Sequence, residues 1–214
     1  MEIIHVEAGP LATNAYVVYD KLTHGAVLID APLEVSSIFE SIISENKLNV
    51  LGILLTHSHW DHSAEAAQLR RLTNAPIYIH PEDAYRLLDP NKHTIFQLPI
   101  DLEPAKPDVL MKHGDIIEIG NIKLEVRHTP GHTEGCVCFV NAENSLVFSG
   151  DTLFSGSVGR IDLPGGSKEN LINSINNSLL TLGDNFKVYP GHGDSTSIGS
   201  ERRNNIYILN SDYL

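Results

Sequence analysis

The sequence predicts an α/β protein of four layers, two mixed β-sheets packed face to face with helices on both outer sides. Three observations carry that expectation. Apolar runs of strand length recur along the 214 residues, interspersed with amphipathic segments of helix length. They form two similar halves, separated at Asp89–Pro107 by a polar, Pro-rich stretch without periodicity that reads as a crossing loop. Each half also closes its strands on an aspartate turn, Asp30-Ala31-Pro32 in the first and Gly150-Asp151-Thr152 in the second.

Ile3–Val6, Ala15–Asp20 and Ala26–Asp30 are apolar runs that read as strands, and Glu34–Glu45 follows as a helix. Val50–Leu55 is a continuous apolar run, the pattern of a buried strand, and Ser63-Ala64-Glu65-Ala66-Ala67-Gln68-Leu69 carries the helix expected over His62–Leu72. A short strand at Ile77–Ile79 and a helical turn at Glu82–Leu88 complete this half. The second begins near Asp108, with strands at Val109–Lys112, Asp115–Ile119, Lys123–His128, Cys136–Val140 and Ser145–Ser149. A helix at Lys168–Thr181, a strand at Phe186–Tyr189 and a terminal helix at Ser197–Asp212 follow. Neither low-complexity sequence nor a short-period repeat is present. The length suits one well-cored domain over residues 1–214 rather than two.

Composition narrows the function classes. Hydrophobic content of 42% with 20% charged residues is that of a globular chain. The formal net charge is −12 with no block of Lys or Arg, which argues against a nucleic-acid partner. No stretch approaches the apolar length of a bilayer span, and Met1-Glu2-Ile3-Ile4-His5 has neither a basic leader nor an apolar signal region. A cytoplasmic protein with no membrane partner is therefore expected. Cys136 and Cys138 lie within one apolar, strand-like run, and both are expected as buried thiols without a mutual disulfide or shared metal.

The run Thr56-His57-Ser58-His59-Trp60-Asp61-His62 dominates the chemistry. His57 and His59 are two apart, so an extended backbone points both imidazoles to one side. Asp61 and His62 follow where the chain turns into a helix, aimed back across the same pocket. Surface histidines do cluster by chance, but H-x-H-x-D-H at the end of a buried strand is too dense for that, and its geometry suits two neighbouring metals. A zinc site needs about four ligands, one often water, and further donors lie downstream. His132 in Thr129-Pro130-Gly131-His132-Thr133, Asp151 in Ser149-Gly150-Asp151 and His192 in Pro190-Gly191-His192-Gly193 each follow an apolar run and sit beside glycine.

With these residues assembled, the chain resembles the metallo-β-lactamase fold hydrolases, and within them a short glyoxalase II-like (hydroxyacylglutathione hydrolase-like) branch. His57, His59, Asp61, His62, His132, Asp151 and His192 match in the family's order. Gly9-Pro10-Leu11-Ala12-Thr13-Asn14 and Gly159-Arg160-Ile161-Asp162-Leu163-Pro164-Gly165-Gly166 extend the likeness over nearly the whole chain. The resemblance implies the family's αββα sandwich and a binuclear centre. One metal would be held by His57, His59 and His132, a second by Asp61, His62 and His192, with Asp151 bridging. Zinc is the first expectation; iron and manganese accept the same donors. The implied substrate is a small thioester, S-2-hydroxyacylglutathione such as S-lactoylglutathione, cleaved to a hydroxy acid and a thiol. True β-lactamases of this fold usually carry Cys at one of these positions or lack the second Asp-His pair in this form, which argues against antibiotic hydrolysis.

Asp61 and Asp151 are the catalytic candidates. Two cations roughly 3.5 Å apart hold a bridging hydroxide at neutral pH, with a pKa of about 7, and polarise a carbonyl. Asp61 would orient that hydroxide, Asp151 would keep the cations close, and a thiolate leaves without a general acid. Two-domain glyoxalase II enzymes grip glutathione with a helical C-terminal domain; no such domain is expected here, so those contacts transfer to no position. Arg160, Trp60 and Asn14 are the expected substrate contacts, although Arg160 could equally pair with Asp162, and Phe154 reads more simply as core. Lys168, Arg202 and Arg203 could reach a pocket rim but read more simply as solvated helix faces. His80 is expected to pack or cap, His128 to sit behind the His132 loop, and His5, His24, His93 and His113 to lie on the surface.

Other readings use the same residues. A mononuclear iron persulfide dioxygenase would need only His57, His132 and Asp151, with open positions for oxygen and thiol. The complete second set of donors and the Leu163-Pro164-Gly165-Gly166 segment argue against it. A hydrolase of another ester or thioester would keep all seven donors. A non-catalytic metal-binding protein would not be expected to.

Overall fold

A computed structural model describes residues 1–92 and 101–213; the expected surface position of His93 and the middle of the crossing loop lie outside them. The first half supplies β1 (Glu2–Ala8), β2 (Thr13–Tyr19), β3 (Gly25–Ile29), α1 (Val35–Asn46), β4 (Asn49–Leu54), α2 (Trp60–Ser63) and α3 (Ala66–Thr73). It ends with β5 (Ile77–Ile79) and α4 (Ala84–Leu88). The sheet it builds has the order β1-β2-β3-β4-β5-β6, closed by β6 (Val109–Leu110) from beyond the crossing loop. Pairing is antiparallel from β1 to β3 and parallel from β3 to β6, so the sheet is mixed.

The second half contributes β7 (Ile116–Ile119), β8 (Ile122–His128), β9 (Val137–Asn141) and β10 (Leu146–Gly150), then a small ribbon of β11 (Leu153–Phe154) and β12 (Ser157–Val158). After α5 (Lys168–Ser174) come β13 (Lys187–Pro190), β14 (Thr196–Ser197), α6 (Ile198–Asn204) and α7 (Ile206–Leu209). The sheet order is β14-β13-β10-β9-β8-β7, with β10 and β13 parallel and the other pairs antiparallel.

Strand periodicity generates the layers, because alternate residues face opposite sides. Ala15 and Val17 of β2 and Ala26 and Leu28 of β3 pack outward on Val35, Phe39, Ala66 and Leu69 of the helices. Their neighbours Tyr16, Val18, Val27 and Ile29 face inward, against Val137, Phe139, Leu146 and Phe148 of the other sheet. Cys138, Val140 and Val147 point to the far side, onto Leu171, Ile175 and Ile198. Three apolar seams therefore separate four layers, as the sequence pattern predicts. Both cysteines are buried free thiols, and burial pushes Cys138 up to about 11.

The helices differ from the expectation, each for a physical reason. The helix read over His62–Leu72 breaks between α2 and α3, where Glu65 turns its carboxylate to the start of α1. It accepts from Glu34 N and Ser36 N, both at 2.7 Å. Helix Lys168–Thr181 gives way after Ser174 to a wider turn over Ile175–Leu179, with Leu180 N on Ile175 O. There the Ser178 carbonyl accepts from Arg127 Nη1 at 2.6 Å. The terminal helix is split at extended Asn205, whose side chain accepts from Tyr207 N and donates to Ser157 O and Glu201. The two-residue strands β11, β12 and β14 are too short for any periodicity to announce them.

Candidate metal centre

The donors converge because they leave the sheets at one edge. His57, His59, Asp61 and His62 follow β4, His132 follows β8, Asp151 follows β10 and His192 follows β13. All seven are buried except His192, which is partly exposed. Two backbone features permit the convergence. Asp30 adopts left-handed geometry (φ 62°), a strained conformation of the kind that gathers at functional sites. Gly191 sits where a Cβ would overlap Asp151 Oδ1 and His62 Cε1.

The donor atoms fall into three overlapping groups, each within 4.8 Å: His57 with His59 and His132; His57 with His62 and Asp151; and Asp61 with His62 and His192. His59 Nδ1 lies 2.8 Å from His132 Nε2, and His62 Nε2 lies 3.2 Å from His192 Nε2. Asp151 reaches both sides of the cluster, its Oδ2 3.5 Å from His132 Nε2 and 3.6 Å from His192 Nε2, its Oδ1 3.2 Å from His62 Nε2. Asp61 Oδ2 stands 3.3 Å from His192 Nε2.

Outer partners fix the ring orientations, a device metal-ligating histidines use routinely. His62 Nδ1 meets Asp30 Oδ2 at 2.8 Å, His132 Nδ1 the Arg160 carbonyl at 2.8 Å, and His192 Nδ1 the Leu11 carbonyl at 3.1 Å. His57 Nδ1 faces Thr56 Oγ1 at 3.1 Å, and that hydroxyl donates to Asp30. Each of these four rings therefore turns Nε2 inward. Burial drives His57 and His59 well below the usual imidazole pKa, with the neighbouring histidines adding to it. Burial also opposes charge on His62, but Asp151, Asp61 and Asp30 outweigh it and hold that imidazole well above its usual value. Asp151 is buried as well, yet His62, His132 and His192 keep its carboxyl below the ordinary range.

A divalent metal fits this donor set. His57 Nε2 and Asp151 Oδ1 are buried without a hydrogen-bond partner, and His59 faces the cluster with Nδ1. Burial of an unpaired polar atom costs about 1–3 kcal/mol, a penalty that a bound cation removes. Lone pairs of neighbouring imidazoles also face each other at hydrogen-bond distance, which needs a proton or a cation between them.

The expected substrate contacts separate. Trp60 opens α2 and is half-buried. Arg160 is exposed and paired with Asp162 at 2.7 and 2.8 Å. Asn14 is placed otherwise than expected: it is buried, faces His5 Nε2 at 2.6 Å, and donates to the carbonyls of Pro190 (3.0 Å) and Gly193 (2.8 Å). Its side chain is thus occupied in holding the His192 turn. Phe154 lies edge-on to His192 at 6.1 Å rather than in the core. Arg202 and Arg203 pair with Asp184, at the end of β13 opposite His192, away from the centre. Asp30, Thr56 and Asp83 also matter for the site, as partners of its ligands and loops; Asp30, closing its strand as Asp151 does, is legible in the sequence, whereas Asp83 carries no local signal.

His80, Glu82 and His128 form another group of donors. The two rings stack at 3.9 Å with planes 13° apart. A metal lies near the plane of each ring that binds it, and two nearly parallel stacked planes share no such point. Burial and the neighbouring His128 pull His80 down to about 4, so the pair stacks with His80 neutral at pH 7.

Residues 8–192 match the metallo-beta-lactamase superfamily. The chain belongs to that superfamily. Among curated relatives, "Uncharacterized protein ML0493" of Mycobacterium leprae is 40% identical over 97% of this chain and 99% of its own. Hydroxyacylglutathione hydrolase GloC of Haemophilus influenzae is 35% identical over 97% of each. The mitochondrial persulfide dioxygenase ETHE1 of Bos taurus is 33% identical over 84% of this chain and 63% of its own. The crystal structure of BLEG-1 B3 metallo-beta-lactamase superposes with a TM-score of 0.91 at 34% identity, covering 98% of this chain and 100% of that one. TTHA1623 in a di-iron-bound form gives 0.77 at 36% identity, covering 95% and 99%. The fold and a metal-binding enzyme of hydrolase type follow from membership. Among the described residues no helix is long and apolar enough to cross a membrane.

Proposed function

We propose that this protein is a binuclear metal-dependent thioester hydrolase acting on S-2-hydroxyacylglutathiones such as S-lactoylglutathione. The observation that carries the reading is the complete set of seven ligands, in which, among the described residues, every histidine is turned to the cluster and none is left over beside it as a separate general acid. The outward nitrogens of His57, His62, His132 and His192 are bound to Thr56, Asp30, the Arg160 carbonyl and the Leu11 carbonyl. The remaining His59 Nε2 is buried. An amine leaving group needs protonation; a thiolate does not, and a thioester suits such a site. GloC, at 35% identity over 97% of the chain, supports the same substrate class.

His57, His59 and His132 would hold one divalent ion, Asp61, His62 and His192 the other, and Asp151 would touch both. Zinc is our first assignment, with iron the alternative in view of the di-iron form of TTHA1623. When bound, the pair would supply an activated water at neutral pH and polarise the acyl carbonyl. Asp61, 3.3 Å from His192 and 3.6 Å from His62, is positioned to accept a proton from an attacking water. Asp151, ionised and buried, keeps negative charge between the two histidine groups. Arg160 would exchange Asp162 for a substrate carboxylate, since an exposed ion pair contributes little by itself.

The test is steady-state hydrolysis of S-lactoylglutathione by metal-loaded protein, with Asp151→Ala as control. A wild-type rate well above the control is expected. Equal rates, in wild-type protein that carries two metals, would sink the thioester assignment. Likeness to ETHE1 favours a second reading, a persulfide dioxygenase using His57, His132 and Asp151. It predicts oxygen uptake on glutathione persulfide with one iron bound. A β-lactam assayed alongside tests the activity named for BLEG-1.

A further inference from the structure

Asp83 lies on the turn before α4, outside every donor loop, and is wholly buried. Its Oδ2 accepts from Ser58 N (2.8 Å), Ser58 Oγ (2.9 Å) and Thr133 Oγ1 (2.9 Å). Its Oδ1 accepts from Gly135 N (2.8 Å) and from Arg86 Nη1 (3.1 Å). Ser58 separates His57 from His59, and Thr133 follows His132. One carboxylate thus joins the two loops that carry the three-histidine group, loops that come from different halves of the chain. Gly135 completes the fit, because a Cβ there would press on Asp83 Cβ at 2.7 Å.

Arg86 extends the connection. It is also wholly buried, and its Nη2 donates to Glu134 Oε2 (2.5 Å) and to the Pro164 carbonyl (2.8 Å). Pro164 belongs to the segment whose Arg160 carbonyl holds His132 Nδ1. A buried ion pair is poor evidence for stability, since its desolvation offsets its attraction, and its best-attested use is to fix one arrangement. The other donors are held elsewhere: His62 by Asp30 and His192 by the Leu11 carbonyl.

We propose that the Asp83–Arg86 pair is the positioning element of the three-histidine metal site, setting the distance between the His57–His59 loop and the His132 loop. The inference rests on the reading of the centre as two metal sites, and not on which substrate they serve. It gives the three-histidine site a support in Asp83 that the other site lacks, whereas Asp30 holds His62 directly and His57 through Thr56. Outer partners of metal ligands typically govern affinity by about 10–100-fold.

The experiment is a titration of metal-free protein with Co²⁺, following its visible absorption and the metal retained at equilibrium. Wild type is expected to take up two equivalents. Asp83→Asn keeps the volume but turns an amide toward donors that need an acceptor. It is expected to bind one equivalent as wild type does and the other about 10–100-fold more weakly, with an altered absorption band. A merely structural role would lower the melting temperature of the metal-free protein and leave both affinities alone. Both equivalents unchanged, or both weakened alike, overturns the proposal. If Asp83→Asn does not fold, Thr133→Val removes one donor and leaves the carboxylate; it should weaken the same equivalent, and unchanged binding overturns the proposal. Thioester turnover is measured separately: wild type that binds two metals without turnover defeats the substrate reading and leaves this one standing.

Discussion

At the scale of single residues, the centre depends on positions that are not ligands. Alanine at Gly191 would overlap Asp151 Oδ1 and His62 Cε1, so Gly191→Ala should displace donors of both groups. Overpacking of this kind costs about 1–3 kcal/mol. The expected result is a lower urea midpoint together with metal lost on dialysis, read by elemental analysis; full metal content in the variant contradicts the geometry. Arg160 behaves differently, because its partner Asp162 is exposed and easily exchanged. Arg160→Ala should raise KM for an anionic thioester roughly tenfold, about 1.4 kcal/mol of binding, with kcat unchanged. A fall in kcat at constant KM would place Arg160 in the chemistry instead. The seven donors were legible because each is a polar residue in the turn that follows an apolar strand, three of them, His132, Asp151 and His192, beside glycine. Asp83 was not: an aspartate in a turn looks like any other until the fold brings Ser58 and Thr133 to it.

At the scale of elements, strands were more legible than helices. Alternation in β2, β3 and β9 survives one-dimensional reading because both faces of each strand meet a core. Helix limits depended on side chains from distant segments. Glu65 is the clearest case, since α1 has no side-chain cap of its own and takes the Glu65 carboxylate in its place. Glu65→Ala should therefore destabilise the fold by about 1–2 kcal/mol, the range for lost N-caps, measured by chemical denaturation; a change within ±0.5 kcal/mol, ordinary for surface substitutions, argues that the cap is idle. Asp20 joins the two sheets in a similar way, accepting from Leu22 N at the β2–β3 turn and from Asn121 N and Nδ2 between β7 and β8. Those bonds, that of Leu22 first, lower its pKa to about 2, against about 3.9 in an unfolded chain. A depressed folded pKa means stability present above the unfolded value and lost as pH falls through the folded one. Asp20→Asn should remove that part of the acid sensitivity, so the urea midpoints of wild type and variant converge between about pH 4 and pH 2. Parallel curves across that window would refute the linkage.

For the whole molecule, the metal centre joins the two halves. Donors from the first half (His57, His59, Asp61 and His62) meet donors from the second (His132, Asp151 and His192) at one edge of the paired sheets. The division into halves and the four layers could be read from sequence, since hydrophobic periodicity encodes them locally. The pairing of β10 with β13 and the bridge of Thr13 to His192 could not, because contacts so distant in sequence leave no local pattern. Without a cation, the centre leaves His57 Nε2 and Asp151 Oδ1 buried and unpaired where the halves meet. Metal should therefore act as a fold ligand as well as a cofactor. At free metal about 1,000-fold above Kd, one site stabilises the native state by about 4 kcal/mol, which raises Tm by roughly 8–16 °C in a chain of this size. Chelation should lower Tm by at least that amount, and Zn²⁺ added back should restore it in a concentration-dependent way. The loss should be smaller in Asp151→Ala, where the carboxylate common to both sides of the centre is gone. A Tm that ignores chelation, in protein shown to have carried metal, would mean that the halves are held by the inner seam of Tyr16, Ile29, Phe139 and Phe148 alone.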